Sequence, residues 1–127
     1  MTSSREHGCR EVDLDRLQLQ FKHADKLLIC GGAVFVIEET SNPKIDDVRK
    51  IVETIEWLRV GGIDYVVADW KPSRYHGIVH AEGRVDDLVY RALVFEAPKI
   101  MRPIYVVKCS EALRRKVNEI LQTLTQA

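Results

Sequence analysis

Two acidic residues lie at equal distances from a glycine pair in this 127-residue chain. One apolar run separates Asp25 from Gly31, and another separates Gly32 from Glu38. A Gly-Gly pair between apolar runs is typical of a hairpin with a two-residue turn. Counting outward from that turn predicts that Asp25 lies opposite Glu38, with the two Cβ atoms roughly 5 Å apart. Carboxylates this close repel each other unless a cation or a shared proton lies between them.

The same register predicts what surrounds the two acids. His23 is expected opposite Thr40, so that one face of the hairpin presents His23, Asp25, Glu38 and Thr40 beside an apolar stripe. Mg²⁺ and Mn²⁺ prefer carboxylate oxygens, and one or two protein carboxylates often suffice to hold Mg²⁺. Such an ion activates a water molecule and stabilises the charge that develops on a phosphodiester. We therefore expect Asp25 and Glu38 to be both the metal ligands and the catalytic residues.

The order of these residues resembles a known motif. An acid at the start of one strand, followed on the next by an acid, any residue and lysine, is the PD-(D/E)xK pattern of the restriction-endonuclease-like superfamily, which includes archaeal Holliday junction resolvases. Ala24-Asp25 and Glu38-Glu39-Thr40 resemble its two halves, and the resemblance extends over about residues 13–71. It implies a mixed central sheet flanked by helices, a divalent ion (Mg²⁺ or Mn²⁺), and DNA or RNA as the partner.

The chain departs from the motif at Thr40, where the family has lysine. The lysine orients or deprotonates the attacking water and offsets phosphate charge, which a threonine hydroxyl does poorly. Three interpretations stay open. The positive charge has moved, with Lys44, Lys71 and Lys26 as candidates; the domain binds nucleic acid without cutting it; or the resemblance is accidental.

A second, weaker match to the motif joins Asp64 to Glu82-Gly83-Arg84. It has arginine in place of lysine, and arginine binds phosphate well but is a poor base. We rank it below the first match because the long connection between its two halves fixes no geometry.

Charge gives little support for a nucleic-acid partner over the whole chain, because 19 basic residues balance 19 acidic ones. A local patch is still expected at Lys44, Lys71 and Arg74, the last two in a cationic and aromatic loop suited to a phosphate backbone. The alternative function is a non-catalytic interaction module that acts as a homodimer or as a subunit of a complex.

The remaining pattern predicts an α/β fold with a mixed sheet flanked by helices. A ferredoxin-like α+β fold, in which residues 26–39 form one bent strand, is the alternative. Besides the hairpin we predict a short helix over 14–21 capped by Asp13, and a longer helix over 43–59 that is capped by Asn42 and ended by Gly61-Gly62. Further strands are expected over 63–70, 78–81 and 103–107. Further helices are expected over 85–95 and from Ser110 onward.

Length and composition place the chain in a broad class. Residues 11–127 are expected to form one α/β domain after a flexible tail of residues 1–10. No apolar run approaches the roughly 20 residues that cross a bilayer, and the first residues lack the pattern of an export signal. We therefore expect a cytoplasmic protein without a membrane partner.

The cysteine and histidine residues are expected in structural or surface positions. Three scattered cysteines argue against a disulfide framework and for a reducing compartment, with Cys30 and Cys109 expected as small buried residues. His23, His76 and His80 are expected on the surface or in loops, because no partner is fixed by their spacing.

Overall fold

The computed structural model describes residues 9–126, which form a five-stranded sheet with helices on both faces. The strands are β1 (Arg10–Asp13), β2 (Lys26–Cys30), β3 (Ala33–Thr40), β4 (Arg74–Ala81) and β5 (Ile104–Val107). The helices are α1 (Ile45–Trp57), α2 (Ile63–Val66), α3 (Asp87–Ile100) and α4 (Ser110–Gln126). The predicted α/β class with a mixed sheet is confirmed.

The strands are arranged in chain order across the sheet. The pairs β1–β2 and β2–β3 are antiparallel, whereas β3–β4 and β4–β5 are parallel. The parallel pairs are connected through helices, as such pairs require. The ferredoxin-like alternative is wrong, because residues 26–39 form two strands and not one.

The Gly31-Gly32 hairpin is confirmed with the predicted register. Cys30 faces Ala33, and the pairing continues to Lys26 opposite Ile37. Gly31 has a φ of +57°, which glycine adopts without steric cost and which the first residue of such a turn requires.

β3 is buried on both sides and divides two apolar cores. Val34 and Val36 pack in a cluster that includes residues of α1 and α3, whereas Phe35 and Ile37 pack in a cluster that includes residues of α4. A strand covered on both faces is typical of the parallel part of an α/β sheet. The two acids that follow the apolar run, Glu38 and Glu39, therefore lie on opposite faces at one end of the strand.

The boundaries of the early helices differ from the predictions. Only Leu14–Leu17 is helical in the 14–21 segment, as a 3₁₀ turn, although Asp13 does cap it by accepting a hydrogen bond from the Asp15 N–H at 3.0 Å. α1 begins after Lys44, whose N–H donates to Asp47 Oδ2 at 2.9 Å. Asn42 is therefore not the cap.

The predicted strand over 63–70 is wrong. α1 is followed by a widened turn, Leu58–Gly62, in which Gly61 has a φ of +131°, and then by the short helix α2. Only Ile63 is buried in this segment. Val66, Val67 and Trp70 are only partly buried against one core cluster, and the segment is not one of the five strands of the described sheet.

Later elements are longer than predicted. β4 begins at Arg74, so residues 74–77 belong to a strand and not to a loop. α3 extends to Ile100 and begins after Asp86, whose carboxylate accepts from the N–H groups of Leu88 and Val89.

The amino-terminal end and the cysteines also differ from expectation. Most of the predicted tail, residues 1–8, lies outside the described residues, whereas Arg10 begins β1. Cys9 forms a disulfide with Cys30, because Arg10 pairs with Ile29 and the next residues out face each other. The prediction of no disulfide is wrong. The cysteines therefore no longer support a reducing compartment, because that inference assumed that no disulfide forms. Cys109 is exposed, not buried.

A search of residues 9–126 for membrane-spanning helices finds none that is both long and apolar enough.

Candidate functional site

Glu38 is a buried acid at the end of β3, with only 3% of its surface exposed. Its side chain lies on the same face as Val36 because alternate strand residues share a face. From α1, Lys50 Nζ donates to Glu38 Oε2 at 2.8 Å. The same ammonium lies 3.9 Å from Asp47 Oδ1, so that α1 supplies both a cation and a second acid to this face.

The second carboxylate oxygen of Glu38 lacks a partner. Glu38 Oε1 is buried and makes no hydrogen bond to any of residues 9–126. Burial raises the pKa of Glu38 to about 7, and the negative charges of Asp25 and Asp47 add to this effect while the Lys50 ammonium opposes it. The hydrogen bond to Glu38 in turn raises the pKa of Lys50. The site therefore favours a proton or another cation at Glu38.

Asp25 is close to Glu38, but it is not aligned with it as simply as the hairpin register predicts. The Asp25 N–H donates to the Ile37 carbonyl at 3.1 Å, and Lys26 is the residue that faces Ile37. Asp25 and the first residue of β2, Lys26, thus both face Ile37 on β3, as the two residues on the bulged strand of a β-bulge do. Asp25 Oδ2 accepts from the Glu39 N–H at 2.7 Å, so the carboxylate sits at the strand edge.

Thr54 of α1 fixes the approach to Asp25. Its hydroxyl accepts from the Ala24 N–H at 2.9 Å and donates to the Lys50 carbonyl at 2.7 Å. Thr54 is fully buried. One side chain therefore joins the segment that carries Asp25 to the turn of α1 that carries Lys50.

Lys50, and not one of the predicted lysines, provides the positive charge beside Glu38. Lys26 Nζ instead lies 3.0 Å from Glu11 Oε1 and 3.3 Å from Glu39 Oε2. Lys44 is exposed at the start of α1. Thr40, in the motif position of the lysine, accepts from the Asn42 N–H through its hydroxyl at 3.1 Å.

Two of the predicted nucleic-acid-binding residues lie far from the acids. Arg74 pairs with Ala33 at the hairpin end of β3. Glu38 lies five positions along the strand from Ala33, or about 17 Å at roughly 3.3 Å per residue. Lys71 precedes β4 at that same end. The structure therefore brings Asp25 and Glu38 together but places Lys71 and Arg74 at the opposite end of the sheet.

A cleft of about 650 Å³ opens at the edge where Asp25 lies. Six acidic and two basic residues line it: Glu11, Asp13, Asp15, Asp25, Glu39, Glu82, Arg16 and Lys26. Glu39 follows Glu38 directly and so points to the opposite face of β3. Asp25 lines the cleft and also lies close enough to Glu38 to raise the pKa of that carboxyl group.

His80 and Glu82 approach Glu39 from the neighbouring strand. Glu39 pairs with His80 in the parallel register, and His80 Nδ1 lies 3.3 Å from Glu39 Oε2. One potential ligand atom from each of Glu39, His80 and Glu82 lies within 4.8 Å of the others. His80 is buried, as is His76, so the prediction of surface histidines is wrong for these two.

The weaker motif match is wrong in its first half. Asp64 lies in α2 and is exposed, so it does not begin a strand. Glu82 nevertheless lines the cleft, and its carboxylate lies within 4.8 Å of a ring nitrogen of the buried His80. The missed signal was the pattern His-x-Glu at a strand end, which places both side chains on one face.

Comparison with models of protein families, with curated proteins and with solved structures finds no match to this chain.

Proposed function

We propose that this protein is a metal-dependent phosphodiester-cleaving domain with a restriction-endonuclease-like fold, acting on DNA or RNA. The observation that carries the proposal is that the two carboxylate oxygens of Glu38 have different surroundings. One buried carboxylate oxygen is bound by Lys50 at 2.8 Å, and the other has no partner among the described residues. The fold supports the proposal through its order of an antiparallel hairpin, a helix and a parallel strand.

The residues present fit a divalent ion. Glu38 Oε1 is an unpartnered anionic oxygen, and Asp25 is close enough to raise the pKa of Glu38. These two residues would hold Mg²⁺ or Mn²⁺, which supplies an activated water and neutralises developing charge. Hard oxygen ligands of this kind suit both ions.

Lys50 provides the positive charge that the motif lysine provides in the family, where this chain has Thr40. Its ammonium reaches the site from α1 instead of β3, and the hydrogen bond to Glu38 keeps it charged by raising its pKa. A fixed cation beside the carboxylate offsets phosphate charge. Lys50 therefore orients Glu38 and stabilises the anionic substrate.

The cleft is lined mainly by acidic residues, and this negative charge affects how nucleic acid binds. With six acids against two basic residues, the cleft repels a phosphate backbone. Nucleic acid is therefore expected to bind only when divalent ions are present. Lys44, at the start of α1, is the predicted nucleic-acid contact that lies on the Glu38 side of the sheet.

A cleavage assay with matched variants tests the proposal. Single-stranded, double-stranded and branched DNA and RNA are incubated with the protein and Mn²⁺, Mg²⁺ or EDTA. We expect ion-dependent cleavage that is lost in Asp25→Asn and Glu38→Gln and reduced at least tenfold in Lys50→Ala. Glu53→Gln, an exposed residue on α1, is the control and should cleave like the wild type. Cleavage that persists in Glu38→Gln, or that needs no metal, refutes the proposal.

One observation favours the non-catalytic alternative, an assembly module. Leu88 and Phe95 of α3 are 77% and 67% exposed, and their spacing of seven residues places them on one stripe of the helix. An exposed apolar stripe of this kind is a candidate surface for a second copy in a symmetric dimer.

Light scattering over a range of concentrations tests this alternative. A dimer that dissociates in Leu88→Glu but not in Arg91→Glu, together with no cleavage under any ion condition, would favour assembly. A protein that is monomeric at all concentrations and cleaves nucleic acid contradicts it.

A further inference from the structure

We propose a second metal site, formed by Glu39, His80 and Glu82, that binds a transition-metal ion of the Zn²⁺ class. It lies on the face of β3 opposite Glu38 and does not depend on the proposed nuclease function. The juxtaposition of one buried imidazole and two carboxylates carries the inference.

The three side chains are already close to ligand spacing. His80 Nδ1 and Glu39 Oε2 are 3.3 Å apart, and two ligand atoms about 2.1 Å from a tetrahedral ion are about 3.4 Å apart. The widest separation in the group is within 4.8 Å. Glu82 follows the last residue of β4 and is exposed, so its side chain has room to move toward the other two ligands.

The backbone holds the three residues in place. Glu39 and His80 are paired across parallel strands, and the Glu82 N–H donates to the Thr40 carbonyl at 2.8 Å, which continues that pairing past the end of β4. Sites on strands are more rigid than sites on loops. The position of the ligands is therefore set by the sheet.

His80 provides an observation independent of the acids. Its side chain is 4% exposed, and its Nε2 has no hydrogen-bond partner in the part of the chain that the structure describes. A buried polar atom without a partner is costly. In a neutral imidazole that ligates through Nδ1 the proton lies on Nε2, so the nitrogen that faces Glu39 is the one that binds the ion.

The ligand set determines the kind of ion. Imidazole with carboxylates suits Zn²⁺ and related ions, whereas Mg²⁺ and Ca²⁺ prefer oxygen ligands alone. The surrounding cleft carries six acids and two basic residues, so a divalent cation reduces the repulsion among them. Lys26 Nζ, 3.3 Å from Glu39 Oε2, is the group with which the ion competes.

Calorimetric titration of the protein with Zn²⁺ alone tests the site. We expect the tightest-bound ion to lose at least tenfold in affinity in His80→Gln and in Glu82→Gln. His76→Gln is the matched control, because His76 is equally buried on the same strand; its affinity should match the wild type. Lys26→Met should bind Zn²⁺ more tightly, because the competing ammonium is gone.

Two further results separate this site from the nuclease site. Glu38→Gln should bind Zn²⁺ as the wild type does, although it is expected to lose Mn²⁺-dependent cleavage. Glu82 is exposed, so Glu82→Gln keeps the test valid if His80→Gln fails to fold. The proposal is overturned if the wild type binds no Zn²⁺, if Glu82→Gln binds it unchanged, or if only Glu38→Gln abolishes binding.

Discussion

Glu38→Gln should make the protein more stable above neutral pH and remove a pH dependence that the wild type has. Glutamine keeps the size of the side chain and its ability to accept from Lys50, but it carries no charge. In the wild type, Glu38 is buried and burial is the largest cause of its raised pKa. Charging this group therefore costs more in the folded protein than in the unfolded chain.

The magnitude follows from the shift. The pKa of Glu38 rises from 4.5 in the unfolded chain to about 7 in the folded protein, and each pKa unit corresponds to about 1.4 kcal/mol. Between pH 4.5 and pH 7 the folded protein keeps a proton on Glu38 that the unfolded chain has lost. Its stability accordingly falls by about 3 kcal/mol as the pH rises from 4.5 to above 7, and it changes no further at higher pH.

Urea unfolding at a series of pH values in the presence of EDTA measures this effect. The free energy of unfolding of Glu38→Gln minus that of the wild type should grow by about 3 kcal/mol between pH 4.5 and pH 8. Taking the difference removes most of the contribution of other titrating groups. Glu53→Gln, exposed on α1, should give a difference that stays near zero throughout.

A difference that is the same at pH 4.5 and pH 8 would falsify the reasoning, since Glu38 would then be charged at no cost. A second measurement links the effect to the proposed ion. Mn²⁺ at pH 8 should raise the stability of the wild type more than that of Glu38→Gln, because an ion that binds only the folded state stabilises it.

Further predictions concern the neighbours of the site and the helix ends. Lys50→Met should raise the pKa of Glu38 further above 7, because Lys50 lowers it; a carbon-detected NMR titration of the Glu38 carboxyl measures the change. Thr54→Val should destabilise the fold by about 1–3 kcal/mol, because a buried backbone N–H loses its acceptor, whereas the exposed Thr123→Val should change the unfolding free energy by less than about 0.5 kcal/mol. Asp86→Ala should cost about 1 kcal/mol in thermal or urea unfolding, because α3 loses its N-cap.

The hairpin was predictable from sequence because its determinants are local. Gly31 supplies the positive φ, and the apolar runs on each side define strands of matching length. The same holds for the cap at Asp13, where a short polar side chain precedes the helix. Each of these features depends on residues only a few positions apart.

Features that depend on packing between distant segments were missed. Lys50 occupies the polar side of α1 in the sequence pattern, and only the packing of α1 on β3 shows that it reaches Glu38. The stripe formed by Asp47, Lys50 and Thr54 was the available sign, because its spacing of three and four residues places all three on one side of the helix. The β-bulge at Asp25 has no sequence sign that we can identify.

The strand predicted over 63–70 failed for a related reason. Apolar and aromatic residues there have high strand propensity, but propensity depends on whether a sheet face is available. The left-handed Gly61 turns the chain away, and the strand position next to β3 is taken by β4.

Glu38 and Glu39 also determine how β3 is aligned. All five residues of Ala33–Ile37 are apolar and buried, so shifting the strand by one position would still place apolar side chains on both faces. Such a shift would, however, exchange the two acids and carry Glu38 away from Lys50 and Glu39 away from Lys26 and His80. The strand's own apolar residues do not distinguish the two alignments, and the charged pair at its end does. Replacing both acids by apolar residues is therefore expected to leave the Gly31-Gly32 turn as the remaining determinant of the alignment.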